Sequence, residues 1–159
     1  MSLPAGLKRI VDQFASAPKE VRVQALLGYA RRVPPLPPEL AADPDGLERV
    51  HECQTPFFLA TSLDELGRVH LFFDCPPEAP TVRGFAGILR EGLEGLTASE
   101  ILGVPPDFYA RMGLTEVVSS LRLRGMGAIL ATIQRQVADR ARDGAVRARP
   151  SPRAPRSRP

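Results

Sequence analysis

Between Val33 and Gly46 the chain carries five prolines, Pro34, Pro35, Pro37, Pro38 and Pro44, and no other stretch constrains the fold as strongly. Each proline removes a backbone donor and fixes φ, so neither a regular helix nor an interior strand runs through it. The stretch predicts a surface loop that divides the sequence in two. Before it, Leu3, Leu7, Ile10, Val11 and Phe14 recur at helical spacing and predict an amphipathic helix from about Leu3 to Ala15. Ser16-Ala17-Pro18 then reads as a stop and restart, and Val21, Ala25, Leu26 and Tyr29 give a second helix its apolar stripe.

After the loop the pattern changes period. Pro56–Thr61 and Arg68–Phe73 are rich in aromatic and β-branched residues, and Asp64-Glu65-Leu66-Gly67 supplies turn chemistry between them. A β-hairpin follows, with Leu47–Val50 as a third strand. The remainder predicts helices. One starts near Glu78–Pro80 and presents Val82, Phe85, Ile88, Leu89 and Leu93. Thr97-Ala98-Ser99-Glu100 is a capping box opening a short helix through Leu102. Pro105 and Pro106 start another around Phe108 and Met112. A turn holds Val117, Val118 and Leu121, and a last helix spans about Gly125 to Ala141. The order αα-βββ-αααα predicts an α+β fold with one small antiparallel sheet of about three strands packed against helices. It gives no support to a dinucleotide-binding fold.

The net charge of +3 is unevenly placed. From Arg140 to Pro159 there are seven arginines against the single acid Asp143, so the preceding residues carry a net −3. That argues against a nucleic-acid reading built on overall basicity. Residues 1–142 are expected to form one domain, and 143–159 a disordered Arg/Pro-rich tail with little to bury. No apolar run approaches the ~18 residues of a membrane span. The N-terminus lacks a basic region followed by an apolar stretch, so a cytoplasmic protein is expected.

Chemistry is expected at Cys53, one of only two cysteines. It stands in a connection just ahead of the first clear strand, with His51 two residues before it. An imidazolium there would favour the nucleophilic thiolate. From these features alone, a working thiol and a buried structural cysteine both remain open. Cys75, at the end of the second strand, is expected to be a semi-buried structural cysteine, and His70 a satisfied or surface histidine. Two rivals use the same residues: a zinc module from His51, Cys53, His70 and Cys75, and a redox-thiol module closing a Cys53–Cys75 bridge. A third is a binding module with a basic tail for RNA.

Four segments in order carry a resemblance. Val50-His51-Glu52-Cys53-Gln54-Thr55-Pro56-Phe57-Phe58-Leu59 looks like the segment of the SufE family in which a cysteine precedes Gln-Ser and an apolar strand. Asp74 through Glu78-Ala79-Pro80-Thr81-Val82-Arg83-Gly84 is similar to that family's helix start. Phe108–Leu114 continues the match, and Leu123-Arg124-Gly125-Met126-Gly127-Ala128-Ile129 resembles its Ser-Arg-x-x-Gly-x-x-x-Ile motif. Two positions depart: Glu52 stands where the family usually has Gly, and Phe57 or Phe58 where it has Trp. The resemblance implies a SufE/IscU-like sandwich. It also implies a sulfur acceptor that takes persulfide sulfur from a cysteine desulfurase onto Cys53 and passes it to an iron–sulfur cluster assembly scaffold, stimulating the desulfurase rather than acting as a stand-alone enzyme. The motif arginine is placed on Arg124, and Arg124 and His51 are expected to stabilise the thiolate or persulfide. An apolar pocket around the sulfur is expected from Phe57, Phe58 or their neighbours. Asp74 and Glu78 are expected to contribute to docking. No cofactor is expected on this chain, since PLP belongs to the desulfurase. Neither a membrane nor a nucleic acid is expected as partner, and monomer and homodimer both stay open.

Overall fold

A computed structural model describes residues 3–148. Helix α1 (Ala5–Ser16) buries Leu7, Ile10, Val11 and Phe14, the stripe its spacing predicts. Arg22, from helix α2 (Lys19–Arg31), donates through Nε to the Phe14 carbonyl at 2.9 Å and through Nη2 to that of Ala15 at 3.4 Å. A cation thus satisfies carbonyls that the end of α1 leaves without helical partners. In α2 the buried residues are Leu26, Tyr29 and Ala30, while Val21 is exposed. The expected stripe is therefore rotated, because α2 packs against the later helix α4 (Pro80–Leu93). That packing is very close: a Cβ at Gly87 would stand 2.1 Å from the Tyr29 carbonyl oxygen. Only glycine allows it.

The proline-rich segment is a connection, as expected, but it contains a one-turn helix α3 (Pro38–Ala41) and a 3-10 turn at Pro44–Gly46. Pro38 occupies the first helical position, where its missing N–H would have had no partner. The sheet is antiparallel with order β1-β2-β3: β1 (Glu48–Arg49), β2 (Phe58–Leu63) and β3 (Val69–Asp74). β1 is shorter than the expected third strand, and β2 begins two residues later than expected. Phe57 instead closes the preceding loop by accepting the Val50 N–H at 2.8 Å. The β2–β3 turn is held by Asp64, whose Oδ1 accepts the N–H groups of Leu66 and Arg68, both at 2.9 Å, with Gly67 at φ 79°.

The capping box forms as its pattern predicts. Thr97 Oγ1 accepts from Glu100 N–H and Glu100 Oε1 accepts from Thr97 N–H, opening α5 (Ala98–Leu102). Two 3-10 turns, Phe108–Met112 and Leu114–Glu116, lead to α6 (Ser120–Ala148). That helix starts ahead of the expected Gly125 and ends beyond the expected Ala141. Its start is set by Ser119, whose carbonyl accepts the Leu123 N–H at 3.0 Å and whose Oγ accepts that of Arg122 at 3.3 Å. Gly125 and Gly127 lie inside the helix rather than at its end. The expected tail overlaps α6 as far as Ala148, and the rest of it, 149–159, lies outside the described residues. α6 buries Leu123, Met126, Ile129, Leu130, Ile133 and Val137 and lies along β2. The result is the α+β arrangement read from the sequence. Among the described residues no helix is long and apolar enough to cross a membrane.

Candidate functional site

Cys53 lies on the loop between β1 and β2. The loop is pinned at its stem by the Val50–Phe57 hydrogen bond and tightened by the Cys53 N–H donating to the Val50 carbonyl at 3.2 Å. These bonds turn the side chain inward, and the residue is only 6% exposed. Its sulfur meets α6 where Gly125 has no side chain, 3.4 Å from where a Cβ would stand. The glycine expected to begin the last helix instead stands inside it, against the cysteine, at a distance where a Cβ would make ordinary van der Waals contact.

A cavity of about 110 Å³ opens at this point. Three elements bound it. The loop supplies Glu52 to Thr55, the start of α4 supplies Ala79, Val82 and Phe85, and the first turns of α6 supply Leu121, Arg122 and Gly125. The apolar wall therefore comes from Val82 and Phe85. Phe57 is instead a fully buried core residue packed near Phe73, with ring centroids 5.8 Å apart, and neither it nor Phe58 reaches the cavity. Burial in these surroundings, with the charge of Glu52 beside it, pushes the Cys53 thiol up to about 11. At rest it is a neutral, sheltered thiol.

The arginine of the cavity wall is Arg122, whose Nη1 lies 3.4 Å from Thr81 Oγ1 at the start of α4. Arg124 is exposed and lies outside the wall, and so does His51. The spacing of the motif itself, arginine three residues before glycine and glycine four before isoleucine, counts back from Ile129 and Gly125 to Arg122. That count was the available signal. Of the acidic pair, Glu78 lines the cavity and Asp74 is exposed at the end of β3.

Cys75 sits at the same end of the sheet but in different company. It is buried, and Arg83 Nη1 donates to its carbonyl at 2.7 Å and lies 3.8 Å from its sulfur. Burial outweighs that cation, and the thiol is likewise pushed up to about 11. It faces the proline-rich connection, away from the Cys53 cavity. His70 stands toward the other end of the sheet, between Glu94 (Nδ1 to Oε2, 2.6 Å) and Asp64 (Nε2 to Oδ2, 2.9 Å). It is a satisfied histidine, and among the described residues His51, Cys53, His70 and Cys75 do not come together as a set of metal ligands.

The chain is similar to known proteins over most of its length. Residues 8–137 match the family model described as SufE, Fe-S metabolism associated domain. An uncharacterized SufE-like protein of Mycobacterium tuberculosis is 46% identical over 136 residues, covering 86% of this chain and 94% of that protein. The sulfur acceptor protein CsdE of Escherichia coli is 29% identical over 115 residues, covering 72% and 75%. Among solved structures, the solution structure of a hypothetical protein from Thermus thermophilus superposes with a TM-score of 0.80. It is 50% identical and covers 89% of this chain and 99% of that one.

Proposed function

The chain belongs to the SufE family, and from that premise we propose that Cys53 accepts the outer sulfur of a persulfide carried by a PLP-dependent cysteine desulfurase. The desulfurase is thereby freed for another turnover, and the sulfur passes on to an iron–sulfur assembly scaffold in the cytoplasm. One observation carries the reading: the loop cysteine is folded into a small cavity built by three separate elements. A structural cysteine needs packing and no vacant space.

The reaction is a thiol–persulfide exchange. The Cys53 thiolate attacks the outer sulfur of the donor R–S–SH, and a new S–S bond forms on Cys53. The donor S–S bond breaks and R–S⁻ leaves. Sulfane sulfur moves without net oxidation or reduction, so no cofactor is required of this chain. The resting thiol is too buried and too weakly acidic to attack, so the loop has to swing outward into the partner's site, where solvent or partner cations favour the thiolate. On return, the persulfide is enclosed by Val82 and Phe85 and screened from cellular thiols. Arg122, at the mouth, is placed to favour negative charge on the sulfur during entry and exit. The unbalanced first turn of α4, which no side chain caps, acts in the same direction.

Intact-mass spectrometry after mixing the protein with its cysteine desulfurase and L-cysteine tests this. Wild type and Cys75→Ser gain one sulfur, reversed by reductant, and Cys53→Ser gains none. No gain on Cys53 beside a verified active desulfurase overturns the reading.

A further inference from the structure

Thr55, two residues after the acceptor cysteine, contributes to the wall of the same cavity. Its hydroxyl oxygen is shut off from solvent and has no hydrogen-bond partner. Buried hydroxyls in folded proteins are almost always paired, because an unpaired one has given up its bonds to water and received nothing in return. The nearby apolar wall of Val82 and Phe85 offers it nothing. An unmet donor on a residue that lines vacant space beside a nucleophile points to something that arrives there.

We infer that the Thr55 hydroxyl is the binding group for the transferred sulfur, donating a hydrogen bond to the outer sulfur of the Cys53 persulfide. The reading rests on Cys53 being the acceptor and adds how the cargo is held. An S–S bond is about 2.05 Å long, so loading extends the side chain by that much into the space that Cys53 and Thr55 both line. The outer sulfur then stands in the space that Thr55 lines, where a turn of its side chain about χ1 presents the hydroxyl to it. The cavity of about 110 Å³ has room for one more atom of that size, a water molecule taking about 30 Å³ of the liquid.

A hydroxyl is suited to the task. It donates without carrying charge, so it does not penalise the neutral resting thiol, and a bond to an ionised sulfur is stronger than one to a neutral sulfur. The charged groups facing the cavity are Glu52 from the loop, Glu78 ahead of α4 and Arg122 from α6. Two are acidic and work against an anionic persulfide, which leaves a neutral donor close to the sulfur a distinct part to play.

The test compares wild type, Thr55→Val and Thr55→Ser, each loaded by the desulfurase and L-cysteine. Three quantities are read: thermal midpoint before loading, persulfide lifetime against added glutathione, and the pH profile of persulfide alkylation. Thr55→Val removes the orphan hydroxyl at nearly constant volume, so its midpoint before loading rises by about 2–4 °C. Its persulfide is lost about tenfold faster, and the alkylation profile shifts to higher pH. Thr55→Ser restores lifetime and profile. A gain in stability paired with a loss of persulfide protection separates a sulfur-binding hydroxyl from a packing residue. Wild-type lifetime and profile in Thr55→Val overturn the inference, as does a Thr55→Ser that behaves like Thr55→Val. No sulfur on wild type, by contrast, overturns the acceptor reading itself.

Discussion

The two ends of the three-stranded sheet treat polar chemistry in opposite ways. Toward the hairpin end the polar groups around His70 are partnered, although Arg90 Nε, one turn before Glu94, is buried without a partner. His70 bonds through both ring nitrogens, Asp64 Oδ1 takes two backbone N–H groups, and Glu94 Oε1 accepts the Leu71 N–H at 2.8 Å while its other oxygen faces His70. At the Cys53 end the thiol is neutral and enclosed, the Thr55 hydroxyl is unpaired, and space is left beside both. His70 with its two carboxylates has the character of a finished structural joint, even though a cavity lined by His70, Arg90 and Glu94 lies beside it. The cysteine end leaves a thiol and a hydroxyl without polar partners beside open space, as the proposed sulfur acceptor would require.

The sharpest way to break this division is to exchange the two ends' chemistry by mutation. Cys53→Ser abolishes sulfur uptake measured by intact mass, whereas His70→Gln leaves uptake at the wild-type level. A loss in His70→Gln comparable to that in Cys53→Ser would dissolve the contrast.

Next in size is Phe85→Ala. The ring is fully buried on the cavity wall, so its removal costs about 3–5 kcal/mol in urea unfolding. The wider cavity also shortens the life of a loaded persulfide.

A third prediction concerns alkali. Both thiols are held neutral in the fold, with values of about 11 against the ordinary 9.0. The unfolded chain therefore ionises first. Their stabilising contribution is complete below about pH 9 and drains away as pH rises through about 11. The loss is on the order of 2 kcal/mol per thiol. Urea midpoints at pH 8 to 11 show this fall in wild type and a flatter course in the Cys53→Ser, Cys75→Ser double variant.

The smallest effect belongs to the hairpin. Glu94 first, then Asp64, raises the His70 value above 6.5. The stabilisation is complete below that ordinary value and lost as pH rises through the raised one. His70→Gln accordingly costs about 0.2–1 kcal/mol near pH 6, in the range of partly exposed ion pairs. Melting curves of the two proteins converge by pH 9.

Much of the fold was legible because periodicity reports burial. The stripes of α1 and α4 and the Asp64–Gly67 turn appear where their residues put them. The start of α6 was not, because a glycine weakens a helix locally and so reads as a boundary. Here Gly125 lies inside the helix, facing Cys53. The candidate nucleophile Cys53 was legible and lines the cavity, while the arginine on its wall, Arg122, stands two positions before the one expected. On an α-helix two residues differ by about 200° around the axis, so Arg122 faces the cavity and Arg124 faces solvent. Only the helix's rotation against the loop decides between them. The unpaired state of Thr55 left no trace in the sequence at all, since it depends on what the neighbouring walls fail to provide.

The bond from Val50 N–H to the Phe57 carbonyl sets a length as well as a shape. If it holds while the loop swings, Cys53 is tethered three residues from one anchor and four from the other. At about 3.3–3.6 Å per extended residue, the backbone at Cys53 can travel on the order of 10 Å from the sheet. The loop is therefore a short leash. On the proposed function, a donor sulfur recessed much deeper than that in its own protein is beyond reach, and the spacing of two residues here limits how deep a partner's site can lie.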